Sequence, residues 1–186
     1  MEPYHWYGRY GVVASEHCLP VAKPRIYDGA LYETIDERIY QSIGMHIVPT
    51  NDSNLPVAPN FFVEGDTESG RGVLMKLQAC HSGALGARAI HSLFNYQKSD
   101  PLVDDTMKSF SATYHYGLAQ LFGIVVGPSR MPDKLLEYHM IQIGAYVMTN
   151  GPDGFREGAT AFRNLREVAE SYRTIGIGVA NRVAGQ

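Results

Sequence analysis

Cysteine is scarce: Cys18 and Cys80 are the only two in 186 residues. Two thiols make neither a disulfide framework nor a four-ligand zinc set, and Cys80, among small apolar neighbours, reads as a buried small hydrophobe. Positive charge is scarce as well. Sixteen Lys and Arg against nineteen Asp and Glu leave a net charge of −3, without the basic surplus typical of dedicated nucleic-acid binders. A metal-dependent nuclease is not excluded on that ground, because the metal itself supplies positive charge. There is no apolar run of about 18 residues, so no membrane span is expected. The segment Met1-Glu2-Pro3-Tyr4-His5-Trp6 carries no basic region and no apolar stretch of the kind a signal peptide needs. Those features lead to the expectation of a soluble, intracellular protein. No nucleophile elbow, Walker loop or dinucleotide fingerprint occurs, and the 19 glycines are scattered.

With 45% hydrophobic and 19% charged residues, the chain has the composition of one globular domain able to bury a core. Residues 1–26 are aromatic-rich and interrupted by Pro3, Pro20 and Pro24, which reads as an irregular arm with a short strand at Tyr10–Ala14. Apolar residues at 31, 35, 39 and 43 predict an amphipathic helix, with Asp28 as N-cap and Gly44 as stop. Met45–Val48 reads as a strand, Phe61–Glu64 as another, and residues 72–97 as a helix. Between Ala79 and Ala89 that helix is rich in Ala, Gly and Ser, so a sheet or second helix can approach its backbone closely. Phe110–Tyr116, Leu118–Val126 and Tyr138–Met148 read as strands, the first two joined as a hairpin at Tyr116-Gly117. After the breaker Asn150-Gly151-Pro152-Asp153-Gly154 a long helix is expected to about Ile175, with Phe162, Leu165, Val168, Ala169 and Tyr172 on one face. This order points to an α/β sandwich.

The chemistry concentrates in Pro59-Asn60-Phe61-Phe62-Val63-Glu64-Gly65-Asp66. A strand that delivers a carboxylate to its end before a helix is a common frame for a phosphodiesterase metal site. Hard divalent cations such as Mg²⁺ take oxygen ligands, and Glu64, Asp66 and the turn residue Asp52 are the candidates. The competing reading of Asp66-Thr67-Glu68-Ser69-Gly70 is a solvated acidic loop. Gln78 and His81 share a face of the following helix, directed at those carboxylates or capping the sheet edge. Lys76 and Arg71 are the nearby cations. His91, His115 and His139 lack helical ligand spacing and read as core or edge histidines rather than a zinc set. Arg156, Arg163, Arg166 and Arg173 fall on one arc of the last helix, either as a phosphate-binding stripe or as a face laced by pairs with Glu167 and Glu170.

Several segments together resemble a fungal protein family with a restriction-endonuclease-like core, within the PD-(D/E)XK superfamily. They are Leu55-Pro56-Val57-Ala58-Pro59-Asn60-Phe61-Phe62-Val63-Glu64, Gln78-Ala79-Cys80 with Gly83-Ala84-Leu85-Gly86-Ala87-Arg88, Ser111-Ala112-Thr113-Tyr114-His115, Glu137-Tyr138-His139-Met140, and Phe155-Arg156 with Gly158-Ala159-Thr160-Ala161-Phe162-Arg163-Asn164. The resemblance spans about residues 27–175. It implies a mixed central sheet flanked by helices, with an aspartate and Glu64 binding Mg²⁺ and a lysine assisting water attack on a phosphodiester. Glu64 matches the glutamate and Gln78 a glutamine of the next helix. Asp52 is the best upstream acid, with Asn60 as a degenerate alternative. Asp66 stands where the lysine is expected, a reversal of charge beside the scissile phosphate. Three functions follow as expectations. One is a nuclease-like module with an impaired site that binds nucleic acid or protein. Another is an active Mg²⁺-dependent nuclease in which Lys76 or Arg71 replaces the lysine, or in which metal binding by Glu64 and Asp66 makes it unnecessary. The third is an interaction or effector scaffold that uses Tyr4, Trp6, Tyr7 and Tyr10 as its contact surface.

Overall fold

The computed structural model describes residues 24–49, 54–65, 72–129 and 136–186. They form one mixed five-stranded sheet flanked by helices. In chain order the elements are β1 (Ile26–Ala30), a 3₁₀ turn (Tyr32–Thr34), α1 (Glu37–Ile47), β2 (Val57–Gly65), α2 (Gly72–Phe94), β3 (Met107–His115), β4 (Leu118–Pro128), β5 (Leu136–Val147) and α3 (Gly151–Ala184). The strands lie in sequence order. β2 and β3 are parallel, joined through α2, and the other neighbours are antiparallel. A parallel pair needs such a crossover, whereas β3 and β4 need only the tight turn at Tyr116 and Gly117. Both turn residues have positive φ, 46° and 77°, as a two-residue hairpin that follows strand twist requires.

Strand alternation sends successive residues to opposite faces. On one face, Ser109 and Ser111 donate their hydroxyls to the Gly83 and Ala79 carbonyls of α2, each at 2.8 Å. Gly83 and Gly86 lie so close to the sheet that a Cβ on Gly86 would sit 2.6 Å from both Phe62 and Ser109 Oγ. The small-residue run of α2 therefore does what its composition suggests. On the other face Phe61 and Phe110 pack with Phe162, Leu165, Ala169 and Tyr172 of α3, and the Phe61 and Phe162 rings meet edge-on at 5.2 Å. A further cluster joins Ile39, Ile47, Ile90, Leu93, Ile177 and Ala180 where α1, α2 and α3 converge.

Three local expectations are corrected. Asp28 does not cap a helix; it lies in β1, paired with Phe61. The helix begins one turn later, with Asp36 as N-cap accepting from the Arg38 amide, and its inward stripe runs Ile35, Ile39, Ile43 and Ile47. The four-residue period was right and its phase was late by one turn. Gly44 does not stop this helix and Met45–Val48 is not a strand, since α1 runs to Ile47 with its one irregular residue at Ile43. Complete burial of Ile47 outweighs the roughly 1 kcal/mol cost of a helical glycine. At the other end, α3 extends past Ile175 to Ala184 because Ile177, Ala180 and Ala184 are also buried.

β2 also starts earlier than expected, at Val57. Pro59 has no N–H to give a ladder, but it falls in a gap: pairing with β1 skips from Val57 to Phe61, and pairing with β3 begins at Phe61. Ala58 beside it takes a left-handed φ of 48°. The kink is bridged by Asn60, which is fully buried. Its Nδ2 donates to the Lys108 and Ala169 carbonyls at 2.9 and 2.7 Å, and its Oδ1 accepts from Arg173 at 2.6 Å. One side chain thus ties β2, β3 and α3 together. Among the described residues no helix is long and apolar enough to cross a membrane.

Candidate functional site

Glu64 is the penultimate residue of β2, in register with Thr113 of β3. The carboxyl ends of the parallel pair therefore lie side by side, and in open α/β sheets ligands bind beyond such ends. The start of α2 closes over this end, where Gly72 approaches the His115 ring. Glu64 is only 3% exposed. Its Oε1 accepts a hydrogen bond from Ser82 Oγ of α2 at 3.2 Å. Burial pushes its carboxyl up to about 7, against the smaller lowering effects of Ser82 and of the Arg25 charge.

Ser82 was not singled out in the sequence. It lies one helical turn beyond Gln78, on the same face, and that spacing was the available signal. Gln78 and His81 are half-buried on α2, while Lys76 is exposed. The cation whose charge acts on Glu64 is Arg25, held beside it because its backbone amide bonds to the Val63 carbonyl at 3.1 Å. Arg25 was also missed, since only strand pairing brings it next to β2. The other candidates Asp52, Asp66, Glu68 and Arg71, and the aromatic residues Tyr4, Trp6, Tyr7 and Tyr10, lie outside the described residues.

Among the described residues no group of three His, Cys, Asp or Glu side chains is arranged to hold a metal ion. A buried carboxyl that favours its neutral form is also a poor ligand for a hard cation, which needs the carboxylate. The described residues alone therefore do not fit a Mg²⁺ site, and the completing acids would be Asp52 and Asp66.

The three histidines go to separate partners. His91 is buried beside Asn95, His115 lies against the Tyr116 ring at 4.1 Å, and His139 is 3.4 Å from the Glu137 carboxylate. Cys80 is half-buried, and burial pushes its thiol up to about 11, which removes it as a nucleophile at neutral pH. The arginines of α3 do not form one anion stripe. Arg156 pairs with Asp153 at 2.5 Å and Arg163 with Glu167 at 3.9 Å. Arg166 binds the Asp28 carboxylate of β1, with one bond at 2.9 Å, instead of the Glu170 expected from its spacing. Arg173 is buried against Asn60 and the Asp28 carbonyl. Two of the four thus clamp α3 to the first two strands.

The same end of the sheet carries an apolar rim. The hairpin turn rests on the residues after β5, where the Met148 amide donates to the Gly117 carbonyl at 2.7 Å and Gly117 packs on Thr149. Gly154 in the first turn of α3 lies against the Val147 carbonyl. These contacts gather Tyr114, Tyr116, Leu118, Val147 and Phe155, all exposed, with Tyr116 at 71%. Single exposed apolar residues are ordinary, whereas a contiguous group rimming one end marks an interaction surface.

The raised value of Glu64 has a consequence for stability. Its neutral form is favoured in the fold, so folding takes up a proton, and stability falls as pH rises from the ordinary value of 4.5 through about 7. Glu64→Gln keeps the shape and removes the titration. Urea unfolding midpoints of the variant are expected to stay level from about pH 5 to about pH 8, whereas the native chain loses up to about 3 kcal/mol over that span. Parallel curves for the two proteins would show that Glu64 is ionised throughout.

Compared with protein-family models, curated proteins and solved structures, the chain matches none.

Proposed function

We propose that this chain is a protein-binding module on a restriction-endonuclease-like α/β scaffold whose phosphodiesterase site is impaired. The observation that carries this reading is the exposed apolar rim of Tyr114, Tyr116, Leu118, Val147 and Phe155 around the strand ends where Glu64 sits. Aromatic and aliphatic groups that exclude water are what protein interfaces use as anchors. The arginines that would otherwise favour nucleic acid support the fold instead: Arg166 and Arg173 are spent on Asp28 and Asn60. The parallel β2–β3 pair, connected by α2 and continued by antiparallel strands, agrees with the core that the resemblance implies.

A second reading, an active Mg²⁺-dependent nuclease, is favoured by one observation. A carboxyl near neutrality is suited to proton transfer, and Arg25, rather than Lys76 or Arg71, is then the relocated cation. Cleavage and binding assays separate the readings. Single- and double-stranded DNA and RNA are incubated with Mg²⁺ or Mn²⁺, with Glu64→Ala as control, and retention of the same nucleic acids is measured at physiological salt. The expected result is neither cutting nor retention. Metal-dependent cutting lost in Glu64→Ala establishes the nuclease, and salt-sensitive retention without cutting turns the module toward nucleic acid.

A further inference from the structure

We infer that the free edge of β5 is a self-association surface, where β5 of a second copy pairs antiparallel about a two-fold axis at His139. β1 and β5 are the end strands of the described sheet, and proteins ordinarily guard such edges with short strands, proline, charge or bulges. β1 is guarded: it has five residues, follows Pro24 and Arg25, contains Asp28 and shifts register between Asp28 and Ala30. β5 has twelve residues, no proline and no lysine, and Glu137 is its one Asp, Glu, Lys or Arg. Its pairing with β4 is regular from Leu136 to Gln142, and only then shifts, between Gln142 and Gly144. That leaves seven regular residues with outward backbone groups.

The outward groups belong to alternate residues, so a symmetric antiparallel pair must centre on a residue, not between two. Centring on His139 uses all seven: Leu136 faces the second copy's Gln142, Glu137 its Ile141, and Tyr138 its Met140. No like carboxylates oppose each other, which is the charge condition a self-pairing strand must meet. Centring on Glu137 would set two carboxylates face to face. The same register continues the core. Leu136, Tyr138 and Met140 are partly buried against Ala87, Ile124 and Val126, and a two-fold axis normal to the sheet keeps that face on the same side in both copies. Tyr138 of each copy then covers Met140 of the other, an aromatic–thioether contact. This association is independent of what binds at the Glu64 end.

The full chain is tested by light scattering coupled to size exclusion, across a concentration series. The expected mass is twice the 20.6 kDa of one chain. His139→Lys keeps a partner for Glu137 but opposes two ammonium groups at the axis, so a single-chain mass with an unchanged circular-dichroism melt is expected. Should that variant unfold, His139→Cys decides. Residues facing each other on the axis lie at disulfide distance, so mild oxidation should link the variant, and not the native chain, into dimers. A native chain of single mass throughout, a folded His139→Lys dimer, or a His139→Cys variant that fails to link overturns the inference. A single mass is also the outcome if another segment of the same chain covers this edge.

Discussion

Asn60→Ala is expected to cost about 3–5 kcal/mol, more than any other single truncation in the sheet, because it strands a buried charge. Arg173 is only 7% exposed, and burial already lowers its pKa, an effect opposed by the nearby charges of Asp28 and Glu170. Its shortest bond, 2.6 Å, goes to Asn60 Oδ1. Removing that oxygen leaves the guanidinium with the Asp28 carbonyl at 3.3 Å, and the Lys108 and Ala169 carbonyls lose their amide donor. Leaving buried polar groups unmatched costs more than the net worth of the bonds they made. The double variant Asn60→Leu with Arg173→Met removes both partners together. It should be less destabilised than the sum of the two single changes by about 1–3 kcal/mol in a urea double-mutant cycle. Additive losses would show that the two side chains act separately. Asn60 uses both amide donors and its oxygen to hold the fold, so it is a joint between strands and helix rather than a stand-in for a metal-binding acid.

Gly86→Val carries the second large expected effect. An added Cβ there meets Phe62 Cε2 and Ser109 Oγ at 2.6 Å and the Pro59 carbonyl oxygen at 2.8 Å. Phe62 is itself packed, and the carbonyl belongs to the kinked part of β2, so none of the three can swing aside. Overpacking by one or two carbons costs about 1–3 kcal/mol in a well-filled core. A branched side chain against backbone should cost about 3 kcal/mol or more, well beyond the roughly 1 kcal/mol a helix gains by losing glycine. Gly178 of α3 is the control, since nothing lies within 4 Å of a Cβ placed there. Gly178→Ala should be neutral or stabilising by up to about 1 kcal/mol. Equal denaturation midpoints for the two variants would mean that α2 can draw away from the sheet at little cost.

Local pattern carried most of the elements. The Gly-Ala-Ser run predicted close helix–sheet approach because only small side chains permit it, and Tyr116-Gly117 predicted the hairpin because that turn needs positive φ. Pattern failed where a period has no absolute phase. Residues 31, 35, 39 and 43 are as regular as 35, 39, 43 and 47, and the choice between them fell to the burial of Ile47 and the pairing of Asp28 with β2.

The candidate site divides along the same line. Glu64 at the end of an apolar strand before a helix was visible in the sequence, because strand, carboxylate and helix are contiguous. Ser82 and Arg25 were not, because one reaches Glu64 through the packing of α2 on the sheet and the other through the pairing of β1 with β2. The arc of four arginines was likewise correct as helical geometry and uninformative about role. Sequence spacing fixes which side chains share a helix face, but what that face meets depends on other strands. By itself, then, the sequence determined the α/β class, the two long helices, the hairpin and the position of Glu64, all consequences of local periodicity and turn chemistry. Tertiary structure alone decided the neutral tendency of Glu64, the joint at Asn60 and Arg173, and the apolar rim, because each arises from residues distant in the chain that become neighbours only when the sheet is assembled.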